Sequence, residues 1–350
     1  GQPITGSNDA ILRSFNKNIR FITVPRAAST EPQDDFRADW LTAEPSTVSE
    51  FSATAWYFAK LLNEILDVPV GIINVSYGGS CIEAWMSKKT SQPFEGRGIP
   101  QTGDTIKVQN RTPTLLFNGM LSPVIGYTLK GSIWYQGESN SKYPEEYAQL
   151  FAKMVDEWRS LWGIGNFPFY YAQIAPYEYK TTGKGKTPEK HYSAYLREAQ
   201  LEAMYLIPNS GMAVLMDIGE EKCIHPSRKD ITGNRLAYWA LAKTYGIGGI
   251  GYASPVYKGI EIKDSTIVVS FENVSNGLTT FGKETGNFEI AGADKVFYPA
   301  SANAGKTTVT VYATNVRHPV AVRYAFKDFT IGGLFSTEGL PVSSFRSDNW

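Results

Sequence analysis

Cysteine and histidine are the scarcest reactive residues in this chain. Its 350 residues hold 2 cysteines and 3 histidines. Cys81 and Cys223 cannot form a disulfide framework, and no Cys-x-x-Cys or Cys/His cluster offers metal-ligand spacing. No metal is expected. Charge of one sign is also missing: Lys+Arg and Asp+Glu both number 34. That removes the basic field of a nucleic-acid binder and the acidic bias of a disordered tail. No apolar run approaches the roughly 20 residues needed to cross a bilayer. Neither nucleic acid nor membrane is therefore expected as a partner. The opening residues Gly1-Gln2-Pro3-Ile4-Thr5-Gly6 do not form a signal peptide and lack an initiator Met. The chain is read as processed or truncated.

Aromatic residues are plentiful, with 8 Trp and 20 Tyr. Large cores and sugar-stacking surfaces both use them, so composition leaves the two readings open. The length is sufficient for one large domain or two smaller ones.

From residue 19 to about 245, apolar strand-like runs alternate with helical patterns. Strands are expected at 19–24, 68–75, 129–135, 167–174 and 212–217. Helices are expected at 51–66 with Ser49 as N-cap, and at 144–161, 191–206 and 231–245. The run at 68–75 reads as a strand buried on both faces. Such alternation means an α/β fold, with helices on both faces of a parallel sheet. The pattern changes after Gly246-Ile-Gly-Gly-Ile-Gly251. Period-2 strands follow from 256 to about 325, most clearly at 307–312 and 319–324, as in an antiparallel β unit. The expected division is 1–250 for the α/β part and 251–350 for the β-rich part. Residues 181–188 read as an exposed flexible loop.

Ligands of open α/β sheets bind at the carboxyl ends of the strands. Three stretches fall there. Asn74-Val-Ser-Tyr-Gly-Gly-Ser-Cys81 runs from a strand into Gly78 and Gly79, where the backbone can aim N–H groups at a ligand oxygen. Ser132-Ile-Trp-Tyr-Gln-Gly-Glu-Ser-Asn140 brings Gln136, Glu138 and Asn140 together; the two amides suit an oxyanion site, and Glu138 is either an acid/base or a brace. Cys223-Ile-His-Pro226 places His225 after the last parallel strand, as a general base. His191 and His318 read as surface residues. A base needs an orienting group, and Asp217, Glu220 and Glu221 all lie within eight residues upstream. No Gly-x-Ser-x-Gly elbow marks a nucleophile.

As an ordered set, these stretches resemble the sialate O-acetylesterase family of carbohydrate esterases, within the SGNH (GDSL-like) hydrolases. The resemblance also covers Pro25-Arg26, Leu116-Phe-Asn-Gly-Met120, Pro319-Val-Ala-Val-Arg-Tyr324 and Glu338-Gly-Leu-Pro341. It implies a three-layer, flavodoxin-like SGNH sheet and a serine/histidine enzyme, without cofactor, that removes acetyl groups from sugar hydroxyls. The sugar would be sialic acid or, in an acetylxylan-esterase variant, a plant polysaccharide. By the same resemblance His225 is the base, Gly79 the oxyanion-loop glycine, and Gln136 or Asn140 a further donor. Many SGNH enzymes carry Asp three residues before the histidine; here that position is Lys222, and Asp217 is the first choice to replace it.

The nucleophile motif of the family, Gly-Gln-Ser-Asn-Met, is absent. The chain looks as if it starts just after it, so the nucleophile is expected upstream of Gly1. The first strand of the sheet is then missing too, and an N-terminal segment or a second chain would complete it. A sugar-processing role implies a secreted or periplasmic protein. The alternative is a non-catalytic carbohydrate-binding homologue lacking the nucleophile. The resemblance also leaves a Cys81–Cys223 disulfide open.

Overall fold

The structure is a computed structural model that describes residues 2–92, 98–179 and 192–350. The short helix α1 (Ser7–Leu12) leads to β1 (Asn16–Thr23), which pairs antiparallel with β2 (Leu41–Ala43). Helix α2 (Ala53–Leu66) precedes β3 (Val70–Asn74), and β1 and β3 run parallel. The short helix α3 (Lys88–Ser91) follows. Then come β4 (Ser132–Tyr135), α4 (Tyr147–Trp162), β5 (Phe169–Ala172), α5 (Tyr192–Leu206), β6 (Ser210–Ala213) and α6 (Lys229–Trp239). Strands β4, β5 and β6 are parallel neighbours in that order.

Helix positions follow local chemistry. The sequence points to Ser49 as the cap of α2. The structure caps it with Ser52, whose side chain accepts from the Ala55 N–H. Residues Val48–Glu50 instead form a separate 3₁₀ turn, so Ser49 lies in that turn. Helices α2 and α6 cover one face, through Leu62, Tyr170, Ala213 and Leu236. They approach closely at Gly233, where a Cβ would lie 2.6 Å from the Thr54 carbonyl oxygen. Helices α4 and α5 cover the other face, with Phe151, Met154 and Leu196 packed against Phe169 and Tyr171.

The parallel strands do not form one sheet. Among the described residues, strand β3 bonds only to β1, and β4 only to β5. Between them lies a groove of about 640 Å³, lined by every residue of β3 and β4. The burial pattern records the open edges. All four residues of β5, which is paired on both sides, are buried. None of the residues of β3 or β4 is. The expectation that 68–75 is buried on both faces is corrected accordingly: an apolar strand with an open edge keeps much of its surface exposed.

The remaining strands are β7 (Val256–Lys263), β8 (Thr266–Glu272), β9 (Leu278–Thr279), β10 (Phe288–Ala291), β11 (Phe297–Ala304), β12 (Thr308–Tyr312), β13 (Ala321–Tyr324), β14 (Phe335–Ser336) and β15 (Phe345–Arg346). Seven of them make one antiparallel sheet in the order β15-β13-β10-β11-β12-β8-β7. The sheet shares a continuous apolar core with the α/β part: Ile267, Phe288 and Val322 belong to the same cluster as Phe151 and Tyr171. Buried polar struts reinforce the junction. Arg197, fully buried, donates to Ser344 Oγ and the Lys327 carbonyl. Gln173 donates to Ser343 Oγ at 3.0 Å. Burial lowers the Arg197 pKa to about 10, and Asp328 opposes that shift.

Candidate functional site

The carboxyl ends of β1, β3 and β4 carry the first half of the site. After β3 the chain turns at Gly79, whose φ of 72° is left-handed and so favours glycine. The carbonyls of this turn are pinned. Asn110 Nδ2 donates to the Gly78 oxygen at 2.8 Å, and Arg111 Nε donates to the Gly79 oxygen at 3.2 Å. Ser139 Oγ donates to the Gly79 oxygen as well, at 2.9 Å. With both carbonyls held, the exposed Gly79 N–H makes no hydrogen bond among the described residues. It is a fixed, uncommitted donor at a strand end.

After β4 the two amides separate by proton count. A carboxamide has two N–H groups. Both N–H groups of Gln136 are used, one on the Ser80 carbonyl at 2.8 Å and one on Asn140 Oδ1 at 2.7 Å. Its oxygen accepts from Tyr147 Oη. Gln136 is therefore a buried brace. Asn140 spends one N–H on Glu83 Oε2 at 2.9 Å, and its oxygen also accepts from the Ile82 N–H. The other Asn140 N–H has no acceptor among the described residues.

Glu138 is half-buried beyond β4. Burial raises its pKa, and the Lys229 ammonium opposes that rise. Lys229 sits in the first turn of α6, its Nζ 5.3 Å from the centre of the Tyr135 ring. It joins the β4 end to the loop of His225.

His225 is exposed, and its ring makes no hydrogen bond among the described residues. Its pKa lies below 6.5, first because of partial burial and then because of Lys229. Two of the three carboxylates nearby, those of Asp217 and Glu220, have other partners. Strand β6 ends at Ala213, so Asp217 lies beyond it, and both Asp217 oxygens take Arg235 N–H groups at 2.7 Å. Glu220 accepts from the Ser227 N–H at 2.8 Å, and the Ser227 side chain first, then that backbone bond, hold its pKa down. The carbonyl of Glu221 accepts from the Glu178 N–H. Neither Ser227 nor Asp230 caps α6: its N-cap position is Arg228, which forks onto Asp230. Cys81 and Cys223 are not joined in a disulfide; Cys81 Sγ donates to the Ser139 carbonyl and Cys223 Sγ to the His225 carbonyl.

The start of the chain rests on the same loop. Thr5 N–H donates to the Ser227 carbonyl at 3.0 Å, and Thr5 Oγ1 to Ser227 Oγ at 2.9 Å. The structure thus links Gly79 to the β4 loop directly, and the β4 loop to the His225 loop through Lys229. It holds Asp217 on α6. His318 lies between β12 and β13, and His191 and residues 181–188 fall outside the described residues. Asn110 and Arg111 were not indicated by the sequence. Their contacts span 32 residues, and no local spacing encodes them. Among the described residues, no cluster of His, Cys, Asp and Glu could hold a metal ion, and no helix is long and apolar enough to cross a membrane.

The molecule is an antiparallel β unit packed on parallel strands, with donors and a histidine beyond the carboxyl ends of the parallel strands. A model of the carbohydrate esterases described as sialic acid-specific acetylesterases matches residues 26–237. The chain belongs to that family. It is 26% identical to mouse and 28% identical to human sialate O-acetylesterase, over 89% and 91% of its own length. It spans 66% and 65% of the lengths of those two proteins. Among solved structures, it is similar to a carbohydrate acetylesterase from Xanthomonas citri, with a TM-score of 0.90 and 34% identity. That similarity covers 99% of this chain and 77% of the other.

Proposed function

We propose that the protein is a carbohydrate O-acetylesterase with an SGNH-like core and a serine/histidine mechanism. The observation that carries this reading is the pair of uncommitted donors, the Gly79 N–H and one Asn140 N–H, at the strand ends beside the β4 and His225 loops. Fixed donors of this kind stabilise the oxyanion of acyl transfer. A serine hydroxyl attacks the acetyl carbonyl carbon and passes its proton to the neutral His225 ring. The carbonyl oxygen, now negative, receives the two N–H groups. The intermediate collapses, the sugar oxygen leaves, and His225 returns the proton to it. Water repeats the sequence on the acyl-serine and releases acetate. In this scheme Gln136 holds Asn140, Glu138 holds Lys229, and Asp217 fixes α6 through Arg235.

The serine belongs, in this reading, to an extended segment that fills the groove between β3 and β4. Two observations support it. Both flanking strands run parallel with open edges that need partners. The Thr5–Ser227 bonds also hold Thr5 against the loop of His225. A role on glycans fits a secreted or periplasmic location. The test is acetate release from an aryl acetate by the chain extended through a Gly-Gln-Ser-Asn-Met strand. His225→Ala should lower the rate by ~10²–10⁴-fold; near-normal turnover removes His225 from the mechanism.

A further inference from the structure

Residues 325–334 join β13 to β14 and reach from the β unit to the loops beyond β5 and β6. This segment is fixed at two points. The fully buried Tyr324 Oη accepts from the Gly333 and Leu334 N–H groups at 3.1 and 3.0 Å. Asp328 is buried, and its Oδ1 accepts from the Ser193 N–H at 3.1 Å and from Ser193 Oγ at 2.8 Å. Ser193 lies in the first turn of α5, where backbone N–H groups lack helical partners and a negative charge is favoured. Held in this way, the segment makes two backbone bonds to the α/β part. The Asp328 carbonyl accepts from the Tyr177 N–H at 3.1 Å, and the Gly332 N–H donates to the Met216 carbonyl at 2.8 Å. The two loops also meet each other. The Glu178 N–H donates to the Glu221 carbonyl at 3.2 Å. Gly219 lies so close to Pro176 that a Cβ would fall 2.4 Å from its carbonyl oxygen. Among the described residues, 219–222 make no other backbone hydrogen bond beyond their own loop. That loop carries His225.

We propose that Asp328, a residue of the β unit, positions His225 by holding the Pro176–Glu178 stretch against the His225 loop. The carboxylate sets the place of its own backbone through Ser193. That backbone sets Tyr177, and the Tyr177–Glu178 stretch sets Gly219 and Glu221. Each link is short and buried or backbone-borne, so a displacement at Asp328 is passed on rather than absorbed by a long side chain. The β unit is then part of the machinery that places the base, beyond its share of the common core. This assignment rests on reading His225 as the base.

The experiment uses the 350-residue protein. NMR titration follows the His225 ring, and hydrogen exchange follows the Glu178 amide. In Asp328→Ala the His225 midpoint should move upward toward 6.5, because a loosened loop relieves the burial that lowers it. The Glu178 amide should exchange about 5- to 10-fold faster, the equivalent of roughly one hydrogen bond. His318, which precedes β13 while Asp328 follows it, should keep its midpoint. Asp328→Asn retains an acceptor oxygen for Ser193 and should restore most of both readouts. Gly219→Ala takes away no hydrogen-bond partner and forces the loop off Pro176 directly. It should give the same His225 shift, and it decides the matter where Asp328→Ala does not fold. An unchanged His225 midpoint in folded Asp328→Ala, or in Gly219→Ala where the first variant does not fold, overturns the assignment. So does a shift that His318 shares. The reading of His225 as the base is decided separately by the His225→Ala rate, so either can fail alone.

Discussion

Neutralising Asp217 separates two roles that the sequence leaves merged. In the structure Asp217 and Arg235 form a two-pronged ion pair, with side chains only 15% and 7% exposed. Asp217→Asn keeps the shape but turns an amide N–H toward one guanidinium nitrogen. One charge-assisted hydrogen bond is lost, and Arg235 is left as an uncompensated, nearly buried cation. Breaking such a pair costs about 3–5 kcal/mol. Arg235 keeps its bond to the Val214 carbonyl at 2.8 Å, which places the expected loss near ~3 kcal/mol. Domains are stable by about 5–15 kcal/mol, so the variant should stay folded at 25 °C with a lower urea midpoint. Its rate of acetate release per folded molecule should fall by less than about fivefold, because the carboxylate acts on α6 rather than on the imidazole. Neutralising a carboxylate that orients a catalytic histidine costs about 10⁴-fold in rate. A loss of that size with an unchanged urea midpoint would refute this reasoning and return Asp217 to the ring of His225.

In the proposed mechanism the neutral form of His225 is the base, and its pKa is depressed by burial and then by Lys229. The acid limb of kcat/KM should therefore lie below pH 6.5, and Lys229→Gln should move it upward toward 6.5 without reaching it. A pH–rate profile reads both, and a limb at or above 6.5 contradicts the environment described for the ring. Gly79→Ala should cost about 1–2 kcal/mol of backbone strain at φ 72°. The added Cβ also lies 3.3 Å from Asn110 Nδ2. Displacing the Gly79 donor should lower the rate by ~10²–10³-fold with little change in KM.

Much of the fold was legible because each element announces itself locally. Apolar runs of four to eight residues gave the parallel strands, and period-2 patterns gave the β unit. Helix ends were less legible. Both Ser49 and Ser52 are acceptable caps, and only the 3₁₀ turn at Val48–Glu50 decides between them. In the site, Gly79, Asn140 and His225 stood out as a glycine, an amide and a histidine at strand ends. Gln136 and Asn140 could not be told apart by sequence, since the difference lies in which N–H groups are already spent. Asp217 seemed poised beside His225, but its partner Arg235 lies 18 residues further on and one helix away. The Asn110–Arg111 clamp has no local signal at all.

In the proposed function, Gly79, Asn140 and His225 serve an acetylesterase whose serine lies on a strand in the groove between β3 and β4. The most direct measurement compares acetate release by the 350-residue chain with release by the same chain joined to a Gly-Gln-Ser-Asn-Met strand. The expected result is turnover only in the joined protein, abolished when the motif serine is replaced by alanine. Equal turnover by the 350-residue chain alone, or turnover that survives the serine replacement, would contradict the account.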